Sequence, residues 1–324
     1  MNAASGDARR AWAAIIVHFG DDGPCIEAAE SVRSSRGVEA RIAIVDHNAR
    51  PSARLEAWAR AAGGAYISCP GNPGFGAGAN EGVRVALERW GSNEFIVLNP
   101  DVRLDTSCLA TLDATFTTYP SIGVAGPALI WDAFPGRWWN VGSDVEWPAG
   151  RPRSRRHAEL IEASREPAER VEASWEPVED TGFVAGAAVA FTLQAWTDAH
   201  GFAEDYFLYF EDADFSYRVR ATGHRVVICP RACAFHRGGG ASPASVAVAE
   251  YYRARNRLRF SRAWNPLRAR GAGHRAAFTL RLLVRGLWRG AITRRRSELL
   301  PFFAAIDHLR GRGGRLPTAR EGTP

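Results

Sequence analysis

Apolar and polar positions follow a repeating order along the first hundred residues. Residues 12–18 (WAAIIVH), 41–46 (RIAIVD), 65–69 (AYISC) and 94–99 (EFIVLN) are short apolar runs. Runs of this length, bounded by polar residues, read as buried strands. The intervening segments 25–36, 51–62 and 79–91 read as helices. Strands alternating with helices predict an α/β fold built on a parallel, doubly wound sheet. In such sheets ligands bind beyond the carboxyl ends of the strands. Asp46, a Gly/Asn/Pro loop at 70–78 and Asp101 all fall at those ends.

The pattern loosens further on. Residues 104–119 read as a helix and 122–130 (IGVAGPALI) as a strand with a turn. Residues 148–180 are rich in Pro, Arg and Glu and read as a long mobile loop. A second ordered block starts at 181–193 and runs to about His236, followed by helices at 251–263 and 275–293. On the last helix Arg281, Arg285 and Arg289 share one stripe, with Leu282, Leu283, Leu287 and Trp288 largely opposite. That arrangement fits a membrane-surface anchor or, equally, a helix packed on the body with its Arg side chains snorkelling outward. The expected organisation is a domain over 1–250 and a basic, amphipathic helical region over 251–324. The domain divides into a first half (about 10–130) and a second half (about 180–250).

Composition narrows the chemistry. The chain has 324 residues, 46% of them hydrophobic, which is enough for a large α/β domain with an appendage. All 41 basic residues are Arg. Without Lys, Schiff-base catalysis and a Lys-bearing phosphate loop are both excluded. The formal charge of +6 is uneven. From Tyr251 onward 18 Arg face three acids, a net +15, so the rest of the chain carries −9. Such a tail suits anionic lipid, nucleic acid or an anionic carrier. Five Cys with no CxxC spacing read as reduced thiols of a cytoplasmic protein. The N-terminus lacks the form of a signal peptide, and no run reaches 18 apolar residues, so no transmembrane helix is expected.

Four groups of residues carry candidate chemistry. Asp101, after Asn99 and Pro100 at a strand end, is placed either to hold a divalent cation or to cap the next helix. Glu211, Asp212 and Asp214 lie among Phe207, Tyr209 and Phe210. A carboxylate pair in apolar surroundings has one pKa raised, as a general base requires. The alternative is helix N-terminal charge, with Asp214 pairing to Arg218 at i,i+4. His236, ahead of a glycine run, is a metal-ligand candidate or a structural histidine. The segment 72–80 (NPGFGAGAN) reads as a glycine-rich loop opening a helix, suited to phosphate or nucleotide. It fits a dinucleotide fingerprint badly, since Glu81 stands where Gly or Ala is needed and the loop follows the third strand.

Together the segments IIVHFG (15–20), IVDHNA (44–49), NPGFGAGAN (72–80), VLNPDV (97–102), GFVAGAAVAF (182–191), YFLYFEDADFSYRVRATGHRV (206–226) and FHRGGGAS (235–242) resemble glycosyltransferase family 2, in its bacterial rhamnosyltransferase-like branch. The resemblance runs from about residue 12 to about residue 260. It implies a GT-A fold, with a Rossmann-like, mainly parallel sheet flanked by helices and here a C-terminal helical appendage. It also implies inverting transfer of a sugar from a nucleotide-diphosphate donor, most plausibly dTDP-rhamnose, to a lipid-linked or polysaccharide acceptor in cell-surface glycan synthesis. Another donor of the same family, UDP-glucose or UDP-galactose, is the alternative. By resemblance, His18, Phe19, Asp46, Asn48, Asn72, Gly74, Phe75, Asn80 and Asn99 shape the nucleotide-sugar site. Asp101 and His236 hold Mg²⁺ or Mn²⁺, and Asp212, with Glu211 beside it, is the catalytic base. Phe19-Gly20 departs from the usual Tyr-Asn, and the 148–180 segment is longer than usual.

Two other classes compete with this reading. One is a non-catalytic nucleotide-sugar binder with a degraded site, against which Asp101, Glu211 and Asp212 argue. The other is a nucleic-acid binder, but the Arg tail has no base-reading motif. The expected placement is cytoplasmic, with peripheral contact to anionic membrane through the basic C-terminal region and no nucleic acid partner.

Overall fold

The computed structural model describes residues 11–134, 137–155, 177–238 and 243–317. The four apolar runs form strands β1 (Trp12–His18), β2 (Ala40–Asp46), β3 (Ala65–Ser68) and β4 (Glu94–Leu98). Helices α1 (Asp22–Arg33), α2 (Ala53–Ala61) and α3 (Phe75–Trp90) link them. Strands β1 to β4 pair in parallel in the order β4-β1-β2-β3. Their alternate residues divide between two faces. Ala14, Ile16, Ile42, Ile44, Ile96 and Leu98 pack under α1 and α2, whereas Ala13, Ile15, Val17, Ala43, Val45 and Val97 pack under α3. A period of two with both phases apolar is what burial on both faces demands.

The second half continues the same sheet with mixed direction. Short β5 (Val102–Leu104) leads to α4 (Cys108–Thr118) and long β6 (Ile122–Trp131), with β7 (Trp138–Asn140) on its edge. A separate hairpin joins β8 (Ser143–Glu146) and β9 (Arg151–Ser154). After β10 (Glu179–Asp180), strand β11 (Ala188–Thr192) inserts antiparallel between β4 and β6 and so joins the two halves. Helices α5 (Leu193–Asp198) and α6 (Glu211–Ala221) follow, then β12 (Arg225–His236), parallel to β6. Among the described residues the sheet has ten strands, mixed in direction and flanked by helices.

Three expectations are corrected. The helix expected from residue 79 begins at Phe75, directly after Gly74 at φ +105°. Gly76, Gly78 and Gly82 therefore lie inside α3, where they allow close packing. A Cβ on Gly78 would meet His47 at 2.6 Å, and one on Gly82 would meet Ile15 at 2.3 Å. The turn expected in 122–130 is absent, and β6 runs through Pro127. The missing N–H is tolerated because the partner strand shifts register between Cys229 and Cys233, opposite that proline. The helix expected from 104 starts at Cys108, since 102–104 pair with β12. Most of the 148–180 segment, residues 156–176, lies outside the described residues.

Helices α7 (Pro243–Trp264), α8 (Arg268–Thr293) and α9 (Leu300–Leu309) form the C-terminal region around Tyr251, Tyr252, Leu258, Leu282 and Leu300. The stripe reading of α8 is corrected too. Leu282 and Gly286 are buried, and Gly286 lies against the Phe302 backbone. Arg289 pairs with Glu298 at 2.8 Å and Arg285 lies 3.9 Å from Glu250. Leu280, Val284, Leu287, Trp288 and Ile292 instead face solvent, each more than half exposed. The glycines let the α9 side approach closely, so the bulky residues lie on the free side. Among the described residues no helix is long and apolar enough to cross a membrane.

The contact at Gly82 is testable. Gly82→Ala places a methyl group against Ile15 in a packed layer, and overpacking costs about 1–3 kcal/mol. Urea denaturation is expected to show that loss, with an unchanged m-value.

Candidate active site

The site residues gather at the carboxyl ends of β1, β2 and β4. On the β1–β2 side, His18 is fully buried, with Nε2 3.1 Å from the Asn48 amide and 3.4 Å from Asp22. Asn48 spans the loop after β1, accepting from Gly20 N–H and donating to its carbonyl. Asp46 is 1% exposed, and its oxygens accept from Tyr66 O–H, Ser52 N–H and Asn48 N–H. Its carboxylate thus fastens β2, β3 and the loop to each other. Phe19 is 63% exposed. Burial holds the neighbouring His47 imidazole below its usual pKa, which keeps it neutral.

The 72–80 segment contributes shape. Asn72 takes φ +47° and accepts from Gly74 N–H. Gly74 sits so near the Phe207 backbone that a Cβ would meet its carbonyl oxygen at 2.6 Å. Phe75 N–H donates to that carbonyl, and its ring meets Phe202 edge-on. Asn80 donates to Phe202 C=O and Glu204 and accepts from Phe202 N–H. It is a strut between α3 and the 202–204 segment, with its amide committed on both sides.

Asp101 and His236 meet on the opposite side. His236 Nε2 lies 3.3 Å from Asp101 Oδ2. The imidazole sits 4.5 Å from Trp139, edge-on, and stacks on Trp131 at 6.4 Å. Burial raises the Asp101 pKa, but the His236 hydrogen bond and charge, with Arg237, outweigh it and hold the carboxyl below its ordinary value. Asp101 does not cap a helix, since α4 begins after Ser107, six residues on. The 3.3 Å separation is that of an ion pair, and both side chains carry atoms of a kind that a divalent cation takes as ligands. Among the described residues no third His, Cys, Asp or Glu joins them in a metal-binding group. Such a site leaves coordination positions for the oxygens of a ligand.

The carboxylate pair occupies the start of α6. Asp212 is half-buried, and its oxygens accept from Gly186 N–H at 2.9 Å and Ala213 N–H at 2.8 Å. Glu211 is 5% exposed and Oε2 has no hydrogen-bond partner. Burial raises both pKa values, and for Glu211 the charge of Asp212 adds to it. Two backbone donors favour the charge on Asp212, so the shared proton resides on Glu211. Asp214 is structural: it accepts from Arg218, Tyr206 and Trp264.

Residues outside the sequence-derived set aim this pair. Phe207, Tyr209 and Phe210 all have positive φ, between 66° and 75°. Bulky residues rarely occupy that region, and they persist there only when their surroundings hold them. The holder is Asn256 on α7, fully buried, whose amide donates to the carbonyls of Tyr206, Leu208 and Tyr209 at 2.8–2.9 Å. Arg255 adds a bond to Tyr206 C=O. Nothing in the spacing of YYRARNRLRF marks Asn256 for that role. Trp131, Trp139 and Gly186 were also missed as site residues, although Gly186 lies within GFVAGAAVAF.

This arrangement on this sheet is the GT-A fold. Its structural neighbours are glycosyltransferases. GalNAc-T7, solved with UDP, GalNAc and Mn²⁺, matches at TM-score 0.54 and 15% identity over 80% of this chain, which spans 52% of that protein's length. The mannosyltransferase PcManGT from Pyrobaculum calidifontis, solved with GDP-Man and Mn²⁺, matches at 0.53 and 13% over 94% of this chain and 88% of its own. Residues 1–349 of TarS from S. aureus match at 0.52 and 12%, over 92% and 80% of the two chains. No family model and no curated relative matches the chain.

The buried pair has a pH signature. Protons held by the native state but released on unfolding stabilise it below the ordinary carboxylate pKa, and this is lost as pH rises through the raised values. The stability contributed by the pair, read as the difference between wild type and Glu211→Gln, is therefore expected to fall from about pH 4.5 upward. Glu211→Gln, which cannot ionise at that position, is the reference. Chemical denaturation of both proteins from pH 4.5 to 8 checks this.

Proposed function

We propose that the protein is an inverting glycosyltransferase that moves a sugar from a nucleotide-diphosphate donor onto an acceptor hydroxyl. One observation carries the reading: a cation-ready Asp101–His236 pair and a desolvated Glu211–Asp212 pair lie at the same end of one sheet. The 185–188 segment links them, because Ala187 C=O accepts from Asn99 N–H while Gly186 N–H donates to Asp212. Fold neighbours that bind UDP or GDP-Man with Mn²⁺ support the donor class and the cation.

Asp212 accepts the proton of the acceptor hydroxyl as its oxygen attacks the anomeric carbon. The bond from that carbon to the diphosphate oxygen breaks, and the diphosphate leaves with the electron pair. Glu211, protonated, keeps a second negative charge away from Asp212. Asp101 and His236 would hold Mg²⁺ or Mn²⁺, which supplies charge for the leaving diphosphate. Phe19, Asn48, Asn72, Phe75 and Asn99 surround the donor, while His18, Asp46, Gly74 and Asn80 fix the frame. Rhamnose from dTDP-rhamnose is the donor we favour, on the resemblance of the seven segments, and the acceptor is lipid-linked or polysaccharide.

The exposed apolar face of α8 supports peripheral docking on an anionic bilayer. Leu280, Val284, Leu287, Trp288 and Ile292 form the inserted side, with Arg281 beside them. The basic excess of the tail supplies attraction to anionic headgroups.

Removal of a general base costs roughly 10²–10⁴ in rate. Asp212→Asn is expected to lose transfer by about that factor and to keep donor-induced thermal stabilisation. Asp101→Ala is expected to lose the Mn²⁺-dependent part of that stabilisation. Near wild-type transfer by Asp212→Asn would refute the assignment of the base. Trp288→Asp with Ile292→Asp is expected to abolish cosedimentation with phosphatidylglycerol vesicles while leaving transfer to a soluble acceptor intact.

A further inference from the structure

A cavity of about 420 Å³ opens between α7 and the end of α9. Arg255, Arg259, Arg262, Arg312 and His308 line it. Two carboxylates answer these charges. Asp205 pairs with Arg259 at 2.6 Å, and Asp307 lies 3.6 Å from Arg312. Arg255, 2% exposed, is held by the carbonyls of Gly314 and Tyr206 and by the rings of Tyr251 and Tyr252. Arg262 is exposed and pairs with no carboxylate among the described residues. The C-terminal ends of α7 and α9 offset part of this charge, but a helix end contributes only about 0.3–1 kcal/mol at a surface. The local field stays positive at His308. Burial and then Arg262, Arg275 and Arg259 push its pKa down.

Four guanidinium groups at one cavity against two carboxylates leave a positive excess that suits a multiply charged oxyanion. We propose that this cavity is a phosphate-binding site that takes a phosphomonoester or pyrophosphate group. Its walls reach the catalytic loop. Arg259 holds Asp205, and Arg255 holds Tyr206 C=O, immediately before the strained residues that aim Glu211 and Asp212. A lipid phosphate headgroup and a free phosphate present the same chemistry to it. The proposal does not depend on the transferase reading.

The test is calorimetric titration with pyrophosphate and inorganic phosphate in EDTA, on wild type, Arg262→Ala and Arg262→Glu. Arg262 stands at the rim, so both variants are expected to keep the wild-type Tm. A charge-assisted hydrogen bond is worth about 1.5–3 kcal/mol, so Arg262→Ala is expected to weaken binding at least about tenfold. Arg262→Glu is expected to abolish it. Vesicles containing phosphatidic acid, compared with phosphatidylserine vesicles of matched surface charge, distinguish the source. Selective loss of phosphatidic acid binding in Arg262→Glu identifies a lipid headgroup, whereas loss confined to soluble anions identifies free phosphate. Affinities unchanged by both substitutions, or no binding by the wild type of soluble anions or of phosphatidic acid in preference to phosphatidylserine, overturn the proposal.

Discussion

The backbone of residues 185–188 is the constraint on which the rest of the site depends. Ala188 N–H closes a turn on Ala185 C=O, Ala187 C=O accepts from Asn99 N–H, and Gly186 N–H donates to Asp212. The following strand then runs antiparallel between β4 and β6. One short turn thus joins the strand end that carries Asp101 to the helix start that carries Asp212. Gly186 is suited to this place because a Cβ there would sit 3.3 Å from Asp212 Cβ and 3.5 Å from the Phe75 ring. A larger residue would push the carboxylate and the aromatic wall apart.

Charge placement divides the work between the two acids. Asp101 is held ionised by His236 and Arg237 against the cost of burial. Glu211 and Asp212 are pushed the other way by burial, and the two N–H donors on Asp212 decide which of them carries the charge. Two pairs with opposite tuning at one sheet edge can serve a leaving anion and an incoming hydroxyl together. The strain at Phe207, Tyr209 and Phe210 lies directly before Glu211 and Asp212, where Asn256 holds the backbone. The C-terminal region takes part through Asn256, and so it is more than an appendage to the sheet.

Much of this was legible in the residue pattern, and what was not has physical reasons. The strands β1 to β4 are apolar in both phases, so their runs stand out, and each was placed within a residue or two. The start of α3 was misjudged because Gly76 and Gly78 read as loop, although they serve helix-to-sheet contact, which depends on partners far along the chain. The β6 turn was misread because tolerance of Pro127 depends on a register shift in β12. Resemblance brought Asp46 and Asn80 into the site, but burial and saturated hydrogen bonds give them supporting places that spacing cannot reveal. Asn256 was invisible, since a clamp on three carbonyls leaves no motif. The outward face of α8 was left open because periodicity alone cannot tell which side of the helix meets the body; Leu282 turns inward while Leu287 and Trp288 face out.

The account turns on Asp101 and His236 holding the cation that meets the donor diphosphate. The most direct test is anomalous diffraction from crystals soaked with Mn²⁺ and a nucleoside diphosphate. The expected result is a single Mn²⁺ peak within coordination distance of Asp101 Oδ2, His236 Nε2 and two phosphate oxygens, with Asp212 free of metal. A peak centred on Glu211 and Asp212, or a nucleotide seated with no metal at Asp101, would contradict it.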